Sequence, residues 1–286
     1  MHLFEGGIVI DNLSEVKNDV NKVLELIFGT GTYTHRVVYP STNENLEALF
    51  SNFSVKNKDV FSVLASSDQV FTSFYKGAKE VDTFDINKYT FYYHYLRKWL
   101  INYYGEEYIK DEYFKDSDKL RELVNTIKVE DENEKVAQMF WILYFNKYDK
   151  LTNRLFITTS GIYDSVYKDD LEGLSKKIKN IKFYNLNLAS RFKLNKKYDV
   201  LIVSNILECM HHPAQLIAAR DNIEKLLKKD GICVCSHVME GKDHLLHQNE
   251  VEIMTSNILE YENFNEKYKS CESDFKREVG YVYKKK

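Results

Sequence analysis

The 286-residue sequence predicts an α/β protein with a mostly parallel, doubly wound sheet and an N-terminal helical cap. Short runs of β-branched and aromatic residues alternate with longer segments whose apolar residues recur every three or four positions. Such alternation of strands and helices is typical of a parallel sheet covered by helices on both faces. The composition agrees with this fold class, because 44% hydrophobic and 29% charged residues are usual for a globular chain.

The N-terminal part of the chain is predicted to form the cap. Over residues 12–28 the apolar residues fall on one helical face, which predicts an amphipathic helix. A loop containing Pro40 follows it, and a short helix is expected around residues 46–50. We therefore predict a helical cap or lid over residues 1–58 and the sheet domain over residues 59–286.

The elements of the sheet domain are predicted from its apolar runs. Its first helix begins near Asp68 and its second near Lys88, each after a buried strand. An insertion at about 104–150 is expected to contain two further helices. Pro213 suits the first turn of a later helix, predicted over residues 213–229. Strands are predicted over residues 60–65, 81–86, 181–188, 198–206 and 232–239, with a last strand at a sheet edge within 275–286.

Composition also limits the partners. A formal net charge of −3 creates no general attraction for nucleic acid, so no nucleic-acid partner is predicted. No apolar run approaches the ~20 residues of a membrane-spanning helix and no signal peptide is visible, so we expect a cytoplasmic protein, with peripheral membrane contact left open. The four cysteines are expected to be reduced thiols. The oligomeric state is not predicted.

A metal site is considered for a group of histidines near the C-terminal end of the predicted sheet. His237, His244 and His247 lie close in sequence to Asp243. No cysteine motif or second carboxylate motif accompanies them, so no metal is predicted.

The stretch "VFSVLASSDQVF" (60–71) predicts a strand, a polar loop and a helix, without a glycine. In doubly wound sheets the loop after the first strand borders the ligand crevice. Dinucleotide sites use glycines there so that backbone amides approach a pyrophosphate, which Asp68 would repel. Ala65, Ser66 and Ser67 are small, so the loop favours a ligand with a cationic end and no phosphate. The alternative is that this loop only caps the next helix.

The ends of the later strands add further candidates. Asp85 follows Ser66 by 19 residues, close to the ~20-residue offset at which an acid meets ribose hydroxyls in nucleotide-binding units. The alternative for Asp85 is a cap of the helix that begins at Lys88. Polar residues also follow the third and fourth sheet strands, and we expect them at the same crevice: Asn187, Ser204, Asn205 and Glu208.

Two stretches resemble a known family. "VFSVLASSDQVFTSFYKGAKEVDTFDINKYTFYYHYLRKWLI" and "YDVLIVSNILECMHHP" are similar to the S-adenosylmethionine-dependent 3-amino-3-carboxypropyl transferases of betaine-lipid synthesis, within the class I methyltransferases of Rossmann-like fold. The departures are Ser66 and Ser67, where that family carries glycine, and Cys209, where an aromatic residue is usual. The resemblance implies cofactor contacts at Ala65, Ser66, Ser67, Asp68, Asp85, Ile86 and Asn87, and near Ser204, Asn205 and Glu208.

The resemblance implies transfer of a group from S-adenosylmethionine to a small-molecule or lipid-like acceptor. It favours the 3-amino-3-carboxypropyl group, with methyl transfer as the alternative and a non-catalytic protein that binds or senses S-adenosylmethionine as a further one. A nicotinamide-dependent oxidoreductase is a rival that the glycine-free loop and Asp68 disfavour. If the acceptor needs a base, the candidates are Glu208, His211 and Tyr33. Each has a plain structural alternative, such as a helix cap or a solvated turn.

Overall fold

A computed structural model describes residues 13–28, 38, 41–42, 44–105, 117–148, 166–237, 245–263 and 279–286. Within these ranges one seven-stranded sheet has the order β3-β2-β1-β4-β5-β7-β6. Its strands are β1 (Asp59–Val63), β2 (Glu80–Asp85), β3 (Lys182–Asn185), β4 (Tyr198–Ser204), β5 (Leu227–His237), β6 (Leu259–Asn263) and β7 (Val279–Lys285). The helices are α1 (Leu13–Phe28), α2 (Leu46–Phe50), α3 (Asp68–Tyr75), α4 (Tyr89–Tyr104), α5 (Ser117–Thr126), α6 (Glu132–Lys147), α7 (Leu171–Ser175), α8 (Pro213–Leu226) and α9 (Leu245–Met254).

The sheet confirms the predicted Rossmann-like fold class. β1 pairs in parallel with β2 and β4, while β2 pairs in parallel with β3 and β4 with β5. Only the pairs that involve β7 are antiparallel among the described strands. The order in which the strands are added to the sheet reverses between β1 and β4. The crevice outside the carboxyl ends of these two strands is the usual ligand position in such sheets.

The far side of the sheet corrects the expectation of a C-terminal edge strand. β7 lies between β5 and β6, so it is internal and β6 occupies the edge. The sequence analysis did not predict β6, which has only five residues. Its Leu259 is buried while Glu260 and Glu262 are exposed, as suits an edge strand with charged outward residues.

The end of α8 also differs from the expectation. The helix was predicted to continue to Lys229, but it ends at Leu226 and β5 begins at the next residue. Leu227 is fully buried and pairs with Tyr198 at the start of β4. Pairing with a central strand therefore outweighs the helical pattern of these residues.

The helices cover both faces of the sheet. α1 packs against α6, and its buried Asp19 accepts a hydrogen bond of 2.8 Å from the hydroxyl of Tyr92 on α4. The indole of Trp141 on α6 donates to the backbone oxygen of the same Tyr92 at 2.7 Å. Among the described helices, none has the length and apolar character needed to cross a bilayer. The three cysteines within the described ranges carry free thiols.

A buried ion pair joins α3 to α4. The guanidinium of Arg97 contacts both carboxylate oxygens of Asp68 at 3.0 Å, and the hydroxyl of Tyr167 donates to the same carboxylate at 2.5 Å. Burial alone would raise the pKa of Asp68, but the charge and hydrogen bonds of Arg97 outweigh it and lower that pKa. The guanidinium also lies over the Phe71 ring, 5.3 Å from its centroid. Asp68 is therefore a buried, paired carboxylate.

We predict that Arg97→Met lowers the free energy of unfolding by about 3–5 kcal/mol, because it leaves the Asp68 charge buried without its cation. Urea unfolding measures this change. Lys176→Met is the matched control, since Lys176 pairs with Glu172 on the exposed surface, and it should leave stability unchanged within error. Equal effects of the two variants would contradict a special role of the buried pair.

Candidate functional site

A cavity of about 430 Å³ lies at the carboxyl ends of β1, β2 and β4 and beside the segment that follows β3. This is the position expected for a ligand site at the switch point of the sheet, and the volume is within the range of small-molecule sites. The lining residues are Val38, Val63, Ala65, Phe84, Asp85, Ile86, Asn87, Thr90, Leu186, Asn187, Leu188, Ala189, Ser204, Asn205, Ile206, Cys209, Met210 and Gln215.

The glycine-free loop after β1 has the backbone that glycine usually provides. Ala65 has a φ of 41° and Ser67 a φ of 77°, both in the left-handed region that costs roughly 1–2 kcal/mol for a residue with a Cβ. The loop is held from two sides: the Ala65 amide donates to the Asp85 carboxylate at 2.9 Å, and the Arg97 guanidinium donates to the Ser66 carbonyl. These contacts place Ala65 at the cavity wall.

The structure corrects the expected orientation of the rest of this loop. The side chains of Ser66, Ser67 and Asp68 are buried behind the loop and do not line the cavity. The Ser66 hydroxyl donates to the Asp68 carboxylate at 2.7 Å. The Asp68 carboxylate, predicted as a cofactor contact, is paired instead with Arg97 of the same chain.

Asp85 does lie at the cavity, at the end of β2. One carboxylate oxygen accepts from the Ala65 amide and the other from the Asn87 amide, both at 2.9 Å. Burial raises the pKa of Asp85 to about 6, although these hydrogen bonds act in the opposite direction. The Tyr89 amide at the start of α4 donates to the Asn87 side chain at 3.0 Å, so Asn87, and not the predicted cap Asp85, is bound to that amide. Ile86 between them is 72% exposed at the rim.

Residues that follow β3 and β4 also line the cavity. Asn187 is exposed at the rim, and its side chain accepts from the Ala189 amide at 2.8 Å. Ser204 has a left-handed φ of 56° and is buried beside the half-buried Asn205. The sequence analysis missed Asn185, whose side-chain amide donates to the backbone oxygens of Asp85 and Ile86 at 2.8 and 2.9 Å. Nothing local marks that role, since the partners are about 100 residues away in the chain.

A second missed residue, Glu44, connects the N-terminal segment to the sheet behind the cavity. Its fully buried carboxyl accepts from the hydroxyl of Ser204 at 2.8 Å, from the hydroxyl of Ser236 and from the amide of Gln69 at 2.5 Å. Burial raises the pKa of Glu44, and the hydrogen bonds reduce that shift. The segment before α2 is thereby fixed across the carboxyl ends of β4 and β5, with Val38 at the cavity.

The candidate bases are placed differently from one another. Glu208 is buried and does not line the main cavity; it lines a neighbouring cavity of about 60 Å³. His211 is exposed and lines the same small cavity. Tyr33 lies outside the described residues. Cys209 faces the main cavity, where burial and then the charge of Glu208 raise the pKa of its thiol, so it is not activated as a nucleophile.

The histidines considered for a metal are not brought together by what the structure describes. His237 ends β5, His244 lies outside the described residues, and nothing is described of the His247 side chain. In the described ranges no group of three or more His, Cys, Asp or Glu side chains is arranged to hold a metal ion.

The charge of the main cavity is its clearest chemical property. Asp85 is the one charged side chain among the described lining residues, and that set contains no lysine, arginine or histidine. A cavity of this kind offers hydrogen-bond acceptors and apolar walls to a ligand. The described part of its lining offers no cation to a phosphate.

Comparison with known proteins gives limited similarity in sequence. The family model of subunit 11 of the general transcription factor TFIIH matches residues 10–86, about a quarter of the chain, which does not assign a family. No curated protein sequence matches the chain.

Three solved structures illustrate the similarity in fold. The N-methyltransferase NodS from Bradyrhizobium japonicum, in complex with S-adenosyl-L-homocysteine, is 11% identical, with 97% of this chain and 90% of that chain covered and a TM-score of 0.38. A TehB-like SAM-dependent methyltransferase from Corynebacterium glutamicum is 12% identical, with 96% and 100% covered and a TM-score of 0.42. An rRNA methylase from Streptococcus thermophilus is 10% identical, with 86% and 97% covered and a TM-score of 0.40. At sequence identities of 10–12% these structures identify no acceptor, and none of the three is described as an aminocarboxypropyl transferase.

We predict opposite stability changes for the two serines of the loop. Ser67→Gly should raise the free energy of unfolding by about 1 kcal/mol, because it relieves the left-handed backbone and removes a buried hydroxyl that has no partner among the described residues. Ser66→Gly should lower it by about 1 kcal/mol, because the hydrogen bond to Asp68 is lost and the backbone gains freedom. Thermal or urea unfolding of the two variants checks this. Destabilisation by Ser67→Gly would contradict the strain argument.

Proposed function

We propose that this protein binds S-adenosylmethionine in the main cavity and transfers a group from it to an acceptor. The observation that carries the proposal is the charge of the cavity, in which Asp85 is the one charged side chain of the described lining. S-adenosylmethionine has ribose hydroxyls that donate hydrogen bonds, a cationic sulfonium and no phosphate. The described lining is suited to such a ligand in sign of charge and in volume.

The described residues fit the parts of this cofactor. Asp85 stands at the end of β2, where an acid accepts from ribose hydroxyls in nucleotide-binding units, and it lines the cavity. The apolar side chains of Ile86, Leu186 and Leu188 line the same part of the cavity and would cover a base. Asn187 at the rim carries a side-chain amide that would recognise the edge of that base.

A nicotinamide dinucleotide fits less well. Its pyrophosphate requires backbone amides freed by glycines or a cationic side chain near the first loop. Here the Ala65 amide is already bound to Asp85, and the described lining provides no cation. These contacts favour the ligand without phosphates.

When bound, the cofactor supplies a sulfonium with three activated carbons, one of which is transferred in an in-line displacement. The methyl carbon is the least hindered of the three, so we propose methyl transfer as the reaction. Transfer of the 3-amino-3-carboxypropyl group, implied by the sequence resemblance, would use the same cavity. The ligand would then be oriented so that the carbon of that group, and not the methyl carbon, faces the acceptor. The residues of the cavity contribute orientation and exclusion of water.

We predict that Asp85→Asn weakens binding of S-adenosylhomocysteine by about 10- to 100-fold, because a charged acceptor is lost. Burial raises the pKa of Asp85 to about 6, so the ionised fraction of this side chain decreases as the pH is lowered from 7.5 to 5. The wild-type affinity should therefore be roughly tenfold lower at pH 5 than at pH 7.5, and this dependence should be absent in the variant. Isothermal titration calorimetry measures both. Asp59→Asn, at the opposite end of the sheet, is the control and should bind as the wild type does.

The reaction itself is tested by its by-product. The purified protein is incubated with S-adenosylmethionine and a deproteinised cell extract, and the nucleosides are identified by mass spectrometry. We expect S-adenosylhomocysteine, formed only when both protein and extract are present. Protein-dependent 5′-methylthioadenosine would instead indicate aminocarboxypropyl transfer, once lyase activity is excluded by omitting the extract. Binding without either by-product would contradict a transferase and favour a sensing role.

A further inference from the structure

Glu44 provides a buried carboxyl group behind the wall of the main cavity. Its side chain is fully buried and is not among the lining residues. One carboxylate oxygen accepts from the hydroxyl of Ser204 at 2.8 Å and from the side-chain amide of Gln69 at 2.5 Å, and the other accepts from the hydroxyl of Ser236. Ser204 lines the cavity, so this one residue connects the carboxylate to the wall that a ligand would contact.

The partners of Glu44 differ from those of Asp68, the other buried acid that binds the N-terminal segment. Asp68 is paired with the guanidinium of Arg97 at 3.0 Å. Among the described residues, Glu44 accepts only from uncharged donors and belongs to no ion pair. A buried carboxylate without a cation is unfavourable. The ionised form of Glu44 would therefore be stabilised by a positive charge brought into the neighbouring cavity.

Ionisation of Glu44 and binding of a cation are expected to favour each other. Burial raises the pKa of Glu44, and the hydrogen bonds from Ser236, Ser204, Gln69 and Thr42 act in the opposite direction. A cation in the cavity would act together with these donors, because a nearby opposite charge lowers the pKa of a carboxyl group. A neutral ligand of the same shape would gain nothing from the charge of this carboxylate.

The hydroxyl of Ser204 extends this polarity to the cavity wall. It has one hydrogen, and Glu44 Oε2 at 2.8 Å is a nearer acceptor than Asn205 Oδ1 at 3.4 Å. Donation to Glu44 leaves the Ser204 oxygen with lone pairs only for further contacts. Ser204 also has a left-handed φ of 56°, which residues with a Cβ rarely adopt, so its placement depends on such contacts. The wall at Ser204 is thus arranged to accept hydrogen bonds, which suits a cationic ligand.

We propose that Glu44 is a positioning residue that increases the preference of the main cavity for a cationic ligand over a neutral ligand of the same skeleton. It acts through Ser204 and through its charge, without touching the ligand. This inference rests on the proposed function, in which the donor is a sulfonium and the product a neutral thioether. Glu44 would stabilise bound S-adenosylmethionine, and this stabilisation would be lost once the group has been transferred. No bond forms or breaks at Glu44.

The test compares S-adenosylmethionine and S-adenosylhomocysteine by isothermal titration calorimetry at pH 8, where Asp85, with a pKa of about 6, is largely ionised. The measured quantity is the dissociation constant of S-adenosylhomocysteine divided by that of S-adenosylmethionine. Glu44→Gln keeps the shape and removes the charge, so we expect it to lower this ratio about tenfold, mainly by weakening S-adenosylmethionine binding. A disturbed fold would weaken both ligands alike. An unchanged ratio while both ligands bind would overturn the inference and leave the proposed cofactor site intact.

Two further variants test whether the charge is the cause. Glu44→Gln combined with Gln69→Glu returns a carboxylate to the same cluster, because Gln69 Nε2 lies 2.5 Å from Glu44 Oε2, and it should recover part of the ratio. Asp82→Asn is the matched control: this acid of β2 is also buried but is paired with Lys196 at 2.9 Å, and its loss should leave the ratio unchanged within twofold. A tenfold fall in the ratio for Asp82→Asn would contradict a specific role of Glu44.

A variant of the connecting residue keeps the inference testable if Glu44→Gln does not fold. Ser204→Ala retains the carboxylate and removes the hydroxyl between it and the cavity. The ratio should then fall in the same direction, by a smaller factor of about three, since one hydrogen-bond donor of Glu44 is lost. A ratio that stays the same or rises would overturn the inference. Failure of both ligands to bind the wild-type protein would overturn it together with the proposed function.

Discussion

The buried ion pair between Asp68 and Arg97 is the interaction on which the geometry of the main cavity depends. The same guanidinium also donates a hydrogen bond to the Ser66 carbonyl, so one side chain of α4 fixes both the loop after β1 and the start of α3. The Asp68 carboxylate additionally accepts from the Thr42 amide at 2.8 Å, which attaches the N-terminal segment to the same point. These contacts offset the cost of left-handed backbone at Ala65 and Ser67, and the loop achieves without glycine the shape that glycine usually provides.

Two acids near the same sheet edge differ in their electrostatics because, among the described residues, only Asp68 is paired with a cation. Asp68 is paired with Arg97, so its charge is neutralised inside the protein and its pKa is lowered. Asp85 receives only hydrogen bonds from uncharged donors, and its pKa is raised to about 6. An acid that is ionised near neutral pH, faces a cavity and is not paired with a cation among the described residues is a better candidate for ligand contact. The position of one arginine therefore decides which of the two carboxylates is available.

The sequence alone predicted the elements whose pattern is local. Apolar periodicity predicted α1 to α4, two helices in the insertion and strands that overlap β1 to β5, although β3 is shorter and β5 begins earlier than predicted. The offset between the first loop and Asp85 predicted an acid at the crevice, and Asp85 lines the cavity. The sequence could not predict the partner of Asp68, because Arg97 lies 29 residues away in the chain, on α4. Glu44 was missed for the same reason, since its partner Ser236 is 192 residues distant. β6 was missed because Glu260 and Glu262 occupy two of its five positions, and acids are not typical strand residues.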